Sequence, residues 1–242
     1  MTDLTSQIRR RYFQTLEQIA AAARRAGRRA EDVRLVVVTK AQPLAVVQAA
    51  IQAGVTVLGE NYPEEAVEKI RALPNAGVEW HMIGHVQSRK ADLVAGHFAM
   101  LHSLDSLRLA KRLERFCAET GRRLPVLLEF NVGGEESKFG WQAGDESRWS
   151  DFLPEIETIL TLPHLEVRGL MSMPPLAEQP EASRPYFRSL RRLQDFLARR
   201  FPSASWNELS MGTSIDYVVG VEEGATLVRI GTGIVGPRPP RA

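Results

Sequence analysis

The 242-residue sequence holds one cysteine, Cys117. A lone thiol excludes an internal disulfide and fits a reducing compartment, so a cytoplasmic location is expected. Cys117 follows the helical pattern "LAKRLERFCAET" and is expected to be packed. No apolar run approaches the ~18 residues that a transmembrane helix needs. The opening "MTDLTSQIRRRYFQTL" lacks the continuous apolar region of a secretory signal. Neither sign of charge dominates: 31 Lys and Arg face 29 Asp and Glu, a formal net charge of +2. That balance calls for neither nucleic acid nor a membrane surface as partner. The arginine pairs 24–25, 28–29 and 191–192 read as solvated helix faces. HExxH, GxSxG and P-loop patterns are missing, and His81 and His85, four apart, fall in a strand and its exit rather than on one helix face. "GTGIVG" (231–236) superficially resembles a dinucleotide loop, but no long helix or second βαβ unit follows it. No Ser/Gly linker, low-complexity tract, exposed apolar strand edge or heptad seam is visible. A single domain over 1–242 and a monomer are therefore expected.

What is present is ordinary soluble composition, 44% hydrophobic and 25% charged. Residues 5–27 place Ile8, Tyr12, Leu16 and Ile19 at helical spacing, with Gly27 as a stop. Eight short apolar runs follow: 35–40, 55–60, 79–84, 98–104, 125–132, 165–173, 206–212 and 226–231. Helical patterns fill the gaps near 43–53, 63–72, 87–95, 105–120, 146–161, 180–200 and 214–223. Alternation of this kind implies a parallel sheet. Eight units in roughly 200 residues fit a closed (β/α)₈ TIM barrel better than an open sheet. Residues 1–33 then form an extra N-terminal helix and lead-in, and 34–238 the barrel.

In such a barrel the active face is the carboxyl end of the strands. The expected strand ends deliver Lys40, Glu60-Asn61-Tyr62, His81 with Gly84-His85, His102-Ser103, Asn131 and Met171-Ser172-Met173 to one rim. "SMGTS" (210–214) reads as a helix opening with a Ser/Thr N-cap. "RIGTGIVG" (229–236) puts Gly231, Thr232 and Gly233 just after the last strand. Ser210, Gly212, Ser214, Gly231 and Thr232 together suggest a phosphate cradle of hydroxyls and backbone N–H groups. Arg229 should point into the barrel mouth as a permanent donor, unless it serves a structural ion pair. Lys40 either snorkels to solvent or, partly desolvated opposite the cradle, condenses with an aldehyde. An aldehyde-bearing phosphate ester that spans the two is pyridoxal 5′-phosphate (PLP). His81 reads as a pocket wall or a satisfied histidine rather than a metal ligand.

"VVVTKAQP", "LGENYPEEAVEK", "EWHMIGHVQSRK", "HSLDSLRLAKRL", "NVGGEESKFG", "VRGLMSM", "LSMGTSIDY" and "GATLVRIGTGIVG" resemble, in order and spacing, the pyridoxal phosphate homeostasis protein family. The resemblance runs from about residue 34 to 238. It implies a fold-type III PLP barrel like the N-terminal domain of alanine racemase, with PLP held as a Schiff base on Lys40. It places Arg229 at the pyridine nitrogen, Ser210, Ser214, Gly231 and Thr232 around the phosphate, and Asn61 and His81 along the ring pocket. Glu136 and Lys138 match a family motif without a derivable role. The chain departs from the family pattern at Thr213, Arg89 and Val235, none of which removes a proposed contact.

Three functions then compete. One is a non-catalytic carrier that holds PLP and hands it over, with PLP-dependent apoenzymes as possible partners. Another is a PLP-dependent amino-acid racemase, which needs a base on each face of the Cα. Lys40 can serve one face. By resemblance the other base comes from a second domain, and this chain is expected to end at the barrel; Tyr62 and Tyr217 have no visible activating neighbour. The weakest is a phosphosugar-binding barrel in which Lys40 is only a counter-charge. The carrier is favoured.

Overall fold

A computed structural model describes residues 3–176 and 178–239; the outer limits expected for the domain, residues 1 and 242, lie outside them. The chain opens with helix α1 (Leu4–Arg25), where the Asp3 carboxylate accepts from the Ser6 N–H and satisfies one free donor of the first turn. Its stripe of Ile8, Tyr12, Ile19, Ala22 and Ala23 is buried. That stripe packs on α2 (Leu44–Gln52), α8 (Tyr217–Glu222) and α9 (Thr232–Val235), so α1 covers the seam where the first and last units meet. The helix stops two residues short of the expected 27, and Gly27 takes a left-handed φ of 69° just beyond it.

The strands are β1 (Arg34–Val38), β2 (Val57–Glu60), β3 (Glu79–Met82), β4 (Met100–Leu104), β5 (Leu124–Asn131), β6 (Trp141–Gln142), β7 (Leu165–Met171), β8 (Glu208–Ser210) and β9 (Leu227–Ile230). They pair in parallel in the order β4-β3-β2-β1-β9-β8-β7-β5, and a β4–β5 pairing closes the circle. Eight strands thus form a closed barrel, as expected. β6, unforeseen, is a two-residue addition beside β5. Outside lie α2, α3 (Pro63–Ala72), α4 (Ala91–His97), α5 (Leu107–Thr120), α6 (Leu153–Leu160), α7 (Arg184–Arg200) and α8.

Both strand faces are buried, which is why the runs read as continuously apolar. Outward Leu35, Val37, Leu58, Met82, Val126 and Leu128 join the helices in one core. Inward Val36, Val57, Met100, Leu127, Met171 and Leu227 form a second, with Ile83 packed against it. Each such aliphatic side chain contributes about 1.5–3 kcal/mol by leaving water. Gly169 marks a register shift between β5 and β7. Its φ is 154°, and a Cβ there would lie 1.9 Å from the Glu208 carbonyl oxygen.

The expectations for three helical segments need correction. The segment 214–223 is helical only from Tyr217. The Asp216 carboxylate accepts from the Thr213 N–H and hydroxyl, so 213–216 forms a turn instead of a Ser/Thr-capped helix start. Segments 87–95 and 146–161 each begin with a 3₁₀ turn, and their α-helices start only at Ala91 and Leu153.

Candidate functional site

β1 ends at Val38, and the next three residues are clamped. Thr39 is fully buried; its N–H donates to the Gly59 carbonyl (2.9 Å) and its hydroxyl to Glu60 Oε1 (2.7 Å). Lys69, rising from α3, donates to the Thr39 carbonyl (2.8 Å), Glu60 (2.8 Å) and Glu65 (2.5 Å). Ala41 sits at φ 55°, a strained value for a residue with a side chain, and donates its N–H to Glu65 (2.8 Å). These bonds fix the chain on both sides of Lys40. The Lys40 side chain enters the cavity at the carboxyl end of the barrel, and its amine has no hydrogen bond or ion pair among the described residues. Burial lowers its pKa first, and the nearby cations Arg238 and Arg229 lower it further, against a weaker pull from Glu60.

The cavity measures about 780 Å³. Of the nine candidate residues, Lys40, Asn61, Ser214, Arg229, Gly231 and Thr232 line it. Asn61 Oδ1 is buried without a partner, and the Ser214 and Thr232 hydroxyls make no hydrogen bond among the described residues. A Cβ on Gly231 would sit 3.2 Å from the Val38 carbonyl oxygen, so glycine lets the loop after β9 close onto β1 beside Lys40. Thr213, one of the family departures, also lines the cavity. Arg89 instead donates to Gln87, and Val235 is buried away from the cavity wall.

His81, Ser210 and Gly212 do not line the cavity. Gly212 has φ 94° and shapes the turn behind it. His81 is a satisfied histidine inside the barrel, with Glu79 at 3.1 Å and His102 at 3.0 Å. Ser210 is fully buried between His102 (2.8 Å) and the Arg229 guanidinium, which donates to it. Arg229 also donates to the Ser172 carbonyl (3.0 Å) and, although buried, reaches the cavity wall. Burial pushes its pKa down to about 10.

The structure adds residues the sequence reading passed over. Glu129 lines the cavity, 9% exposed, with Oε2 buried and unpartnered. Burial, then Asp105, pushes its carboxyl up to about 7. Its signal was available: Leu127, Glu129 and Asn131 alternate onto one face of β5. Lys138 acquires a structural role, donating to the Pro174 (2.7 Å) and Met173 (3.2 Å) carbonyls and strapping the loop after β5 to the loop after β7. Glu136 is exposed. Asn131 closes its own loop, accepting from the Gly134 N–H (3.0 Å) and donating to the Glu135 carbonyl (2.7 Å). Tyr62 stands on the cavity rim, whereas the Tyr217 hydroxyl donates to Gln18 of α1.

An unpartnered amine, two free hydroxyls, a buried amide oxygen and a fixed guanidinium therefore converge on one cavity. Such a set can capture a carbonyl at Lys40, hold an anion at the loops after β8 and β9, and donate to a ring acceptor from Arg229.

Residues 14–239 match the alanine racemase N-terminal domain. The pyridoxal phosphate homeostasis protein of Aquifex aeolicus is 40% identical over 229 residues, covering 94% of this chain and 97% of that one. PipY of Synechococcus elongatus PCC7942, solved with PLP bound, superposes with a TM-score of 0.83 at 32% identity, covering 95% of this chain and 100% of that one. Alanine racemase of Clostridium difficile 630 shares the fold alone, with a TM-score of 0.69 at 15% identity, over 97% of this chain and 58% of that one. With the domain match spanning most of the chain and 40% identity to a curated relative over nearly its full length, the chain belongs to the pyridoxal phosphate homeostasis protein family.

Proposed function

We propose that this protein binds pyridoxal 5′-phosphate at Lys40 and serves cofactor homeostasis in the cytoplasm as a carrier. The observation that carries the reading is the unpartnered Lys40 amine sharing one cavity with the free hydroxyls of Ser214 and Thr232. These are polar groups with no internal partner, as a site built for an external anion and an electrophile requires. When bound, the cofactor supplies an aldehyde for amine capture and an electron-withdrawing ring. Lys40 provides the amine, and its lowered pKa enlarges the unprotonated fraction that can attack a carbonyl. Ser214, Thr232 and the Gly231 backbone hold the phosphate. Arg229 donates toward the ring nitrogen and, as a permanent cation, leaves that nitrogen unprotonated, which weakens carbanion stabilisation. Asn61 lies along the ring; Ser210, Gly212 and His81 act from behind the wall.

The rim favours a carrier. Tyr62, Phe139, Met173 and Ile215 line the cavity while remaining 41%, 52%, 44% and 46% exposed. An apolar collar around a cofactor mouth suits docking of a PLP-dependent apoenzyme that receives the cofactor. Controlled proton exchange needs a water-excluded site, and Tyr217 is turned away from the cavity toward Gln18. One observation favours a second reading, weak racemase-type activity: Glu129, with its carboxyl near 7, lines the same cavity.

Absorbance separates the readings. Protein incubated with PLP is expected to turn yellow, with a visible band that Lys40→Ala abolishes; colourless protein contradicts PLP capture. α-Proton exchange of added amino acids in heavy water is expected at no useful rate. Exchange that Glu129→Gln removes would favour the enzyme.

A further inference from the structure

A file of buried polar side chains crosses the barrel interior. Arg229 donates to Ser210 Oγ. Ser210 Oγ lies 2.8 Å from His102 Nδ1, His102 Nε2 lies 3.0 Å from His81 Nδ1, and His81 Nε2 lies 3.1 Å from Glu79 Oε2. Ser210 and His102 are 0% exposed, His81 1% and Arg229 4%; the Glu79 side chain, at the opposite end, is 57% exposed. The two ends differ in kind: guanidinium only donates, and carboxylate only accepts.

Those ends fix every proton between them. Ser210 accepts from Arg229, so its own hydrogen is directed to His102 Nδ1. His102 then carries its proton on Nε2 and donates to His81 Nδ1. His81 likewise carries its proton on Nε2 and donates to Glu79. The reverse polarity would strand the serine hydrogen and turn a nitrogen lone pair toward a carboxylate. Both rings must be neutral for the file to run one way. Burial, the dominant influence on both, disfavours their charged forms. The charged groups around His102 act in the same direction, whereas around His81 Glu79 and Glu208 favour the cation against Arg34, and burial outweighs them. His81 meets Glu79, Arg34 and Glu208, and His102 meets His81, Arg229 and Arg34. Glu79 is bracketed by His81 and by Arg34 at 3.9 Å, with Arg168 nearby.

Arg229 hydrogen-bonds to no carboxylate among the described residues; its partners are the Ser210 hydroxyl, the Ser172 carbonyl and the Met173 sulfur. Of these neutral acceptors only the Ser210 hydroxyl carries a hydrogen, and it holds the guanidinium only while that hydrogen points elsewhere. We propose that Glu79, His81 and His102 are positioning residues: a one-way hydrogen-bond file, anchored at the far end of the barrel, keeps the Ser210 lone pairs aimed at Arg229 and so sets the plane of the guanidinium in the cavity. The proposal rests on the reading that Arg229 faces the bound ring.

The first test needs no cofactor. Long-range 1H–15N correlation spectra of histidine-labelled protein, over about pH 6 to 8, are expected to show His81 and His102 neutral with the proton on Nε2. A cationic ring or an Nδ1 proton on either overturns the file. Ser210→Ala is expected to cost His102 its single tautomer while circular dichroism stays unchanged; an unaltered His102 spectrum overturns the proposal. The second test uses PLP and the half-exposed Glu79. Glu79→Ala is expected to weaken PLP binding about fivefold and shift the visible band, and Glu79→Gln, which keeps an acceptor, to recover most of both. If wild-type protein takes up no PLP, the site reading fails and the tautomers still decide the file. If Glu79→Ala binds as wild type with the same band, the positioning role is overturned and the site reading stands.

Discussion

Lys40 and Glu129 both line the cavity, and burial shifts their pKa values in opposite directions, down for the amine and up for the carboxyl. Lys40 has a folded-state pKa below its ordinary 10.5, because it is partly buried beside Arg229 and Arg238. As pH rises, the folded protein releases this proton before the unfolded chain does, so wild-type stability climbs with pH up to about 10.5. Lys40→Met removes the penalty. The cofactor-free variant is expected to gain about 0.5–2 kcal/mol at neutral pH and less at alkaline pH, measured by urea unfolding. Glu129 behaves inversely. Its folded value, about 7, lies above the ordinary 4.5. Between those values the folded protein keeps a proton that the unfolded chain has lost, so stability falls as pH rises through the window, by up to about 3 kcal/mol. Glu129→Gln is expected to flatten that slope. An equal slope in variant and wild type would place the titration elsewhere.

At the scale of elements, the pairing of β2 with α3 decides where Lys40 points. Glu60 is fully buried and faces outward under α3, where Lys69 meets it at 2.8 Å. Even so, burial holds the Glu60 carboxyl above its usual range. Lys69→Ala strands that carboxyl together with the Thr39 carbonyl and is expected to destabilise the protein by about 3–5 kcal/mol in chemical denaturation. Lys69→Met combined with Glu60→Leu is expected to restore much of this stability, because no charge is then left unpaired. Gly169→Ala is expected to cost more than about 2 kcal/mol, since its Cβ would collide with the Glu208 carbonyl oxygen. The alternation of elements was legible in the sequence because short apolar runs recur between helical stripes, each long enough to declare its period. Lys40, Arg229 and the Gly231 loop were legible because strand ends on one barrel face must share a mouth. The interior file was not. An inward polar residue near a strand end reads the same in sequence whether it meets the cavity or the layer beneath it, and so Ser210, the last residue of β8, and His81, one before the end of β3, were assigned to the cavity. Asp216 was hidden for a related reason. "SMGTS" offers three hydroxyls as caps, and only the folded turn shows the carboxylate taking that role.

Across the whole molecule, the closed barrel seats a cavity holding Lys40 and Arg229, with an apolar collar, above an aliphatic inner layer crossed by the polar file from Ser210 to Glu79. Among the described residues no helix is long and apolar enough to cross a membrane. Loading the mouth should stabilise the whole fold by mass action. At a PLP concentration of about 100 Kd the gain is about 2.7 kcal/mol. A chain of 242 residues then gains roughly 5–10 °C in Tm by calorimetry. Lys40→Ala is expected to lose most of that shift. The central claim, that the Lys40 amine is the capture point for the coenzyme, is tested most directly by borohydride reduction of PLP-incubated protein followed by peptide mapping. A single pyridoxyl-phosphate adduct on Lys40 is the expected result. An adduct elsewhere, such as on Lys90 or Lys138 at the rim, or none at all, would contradict it.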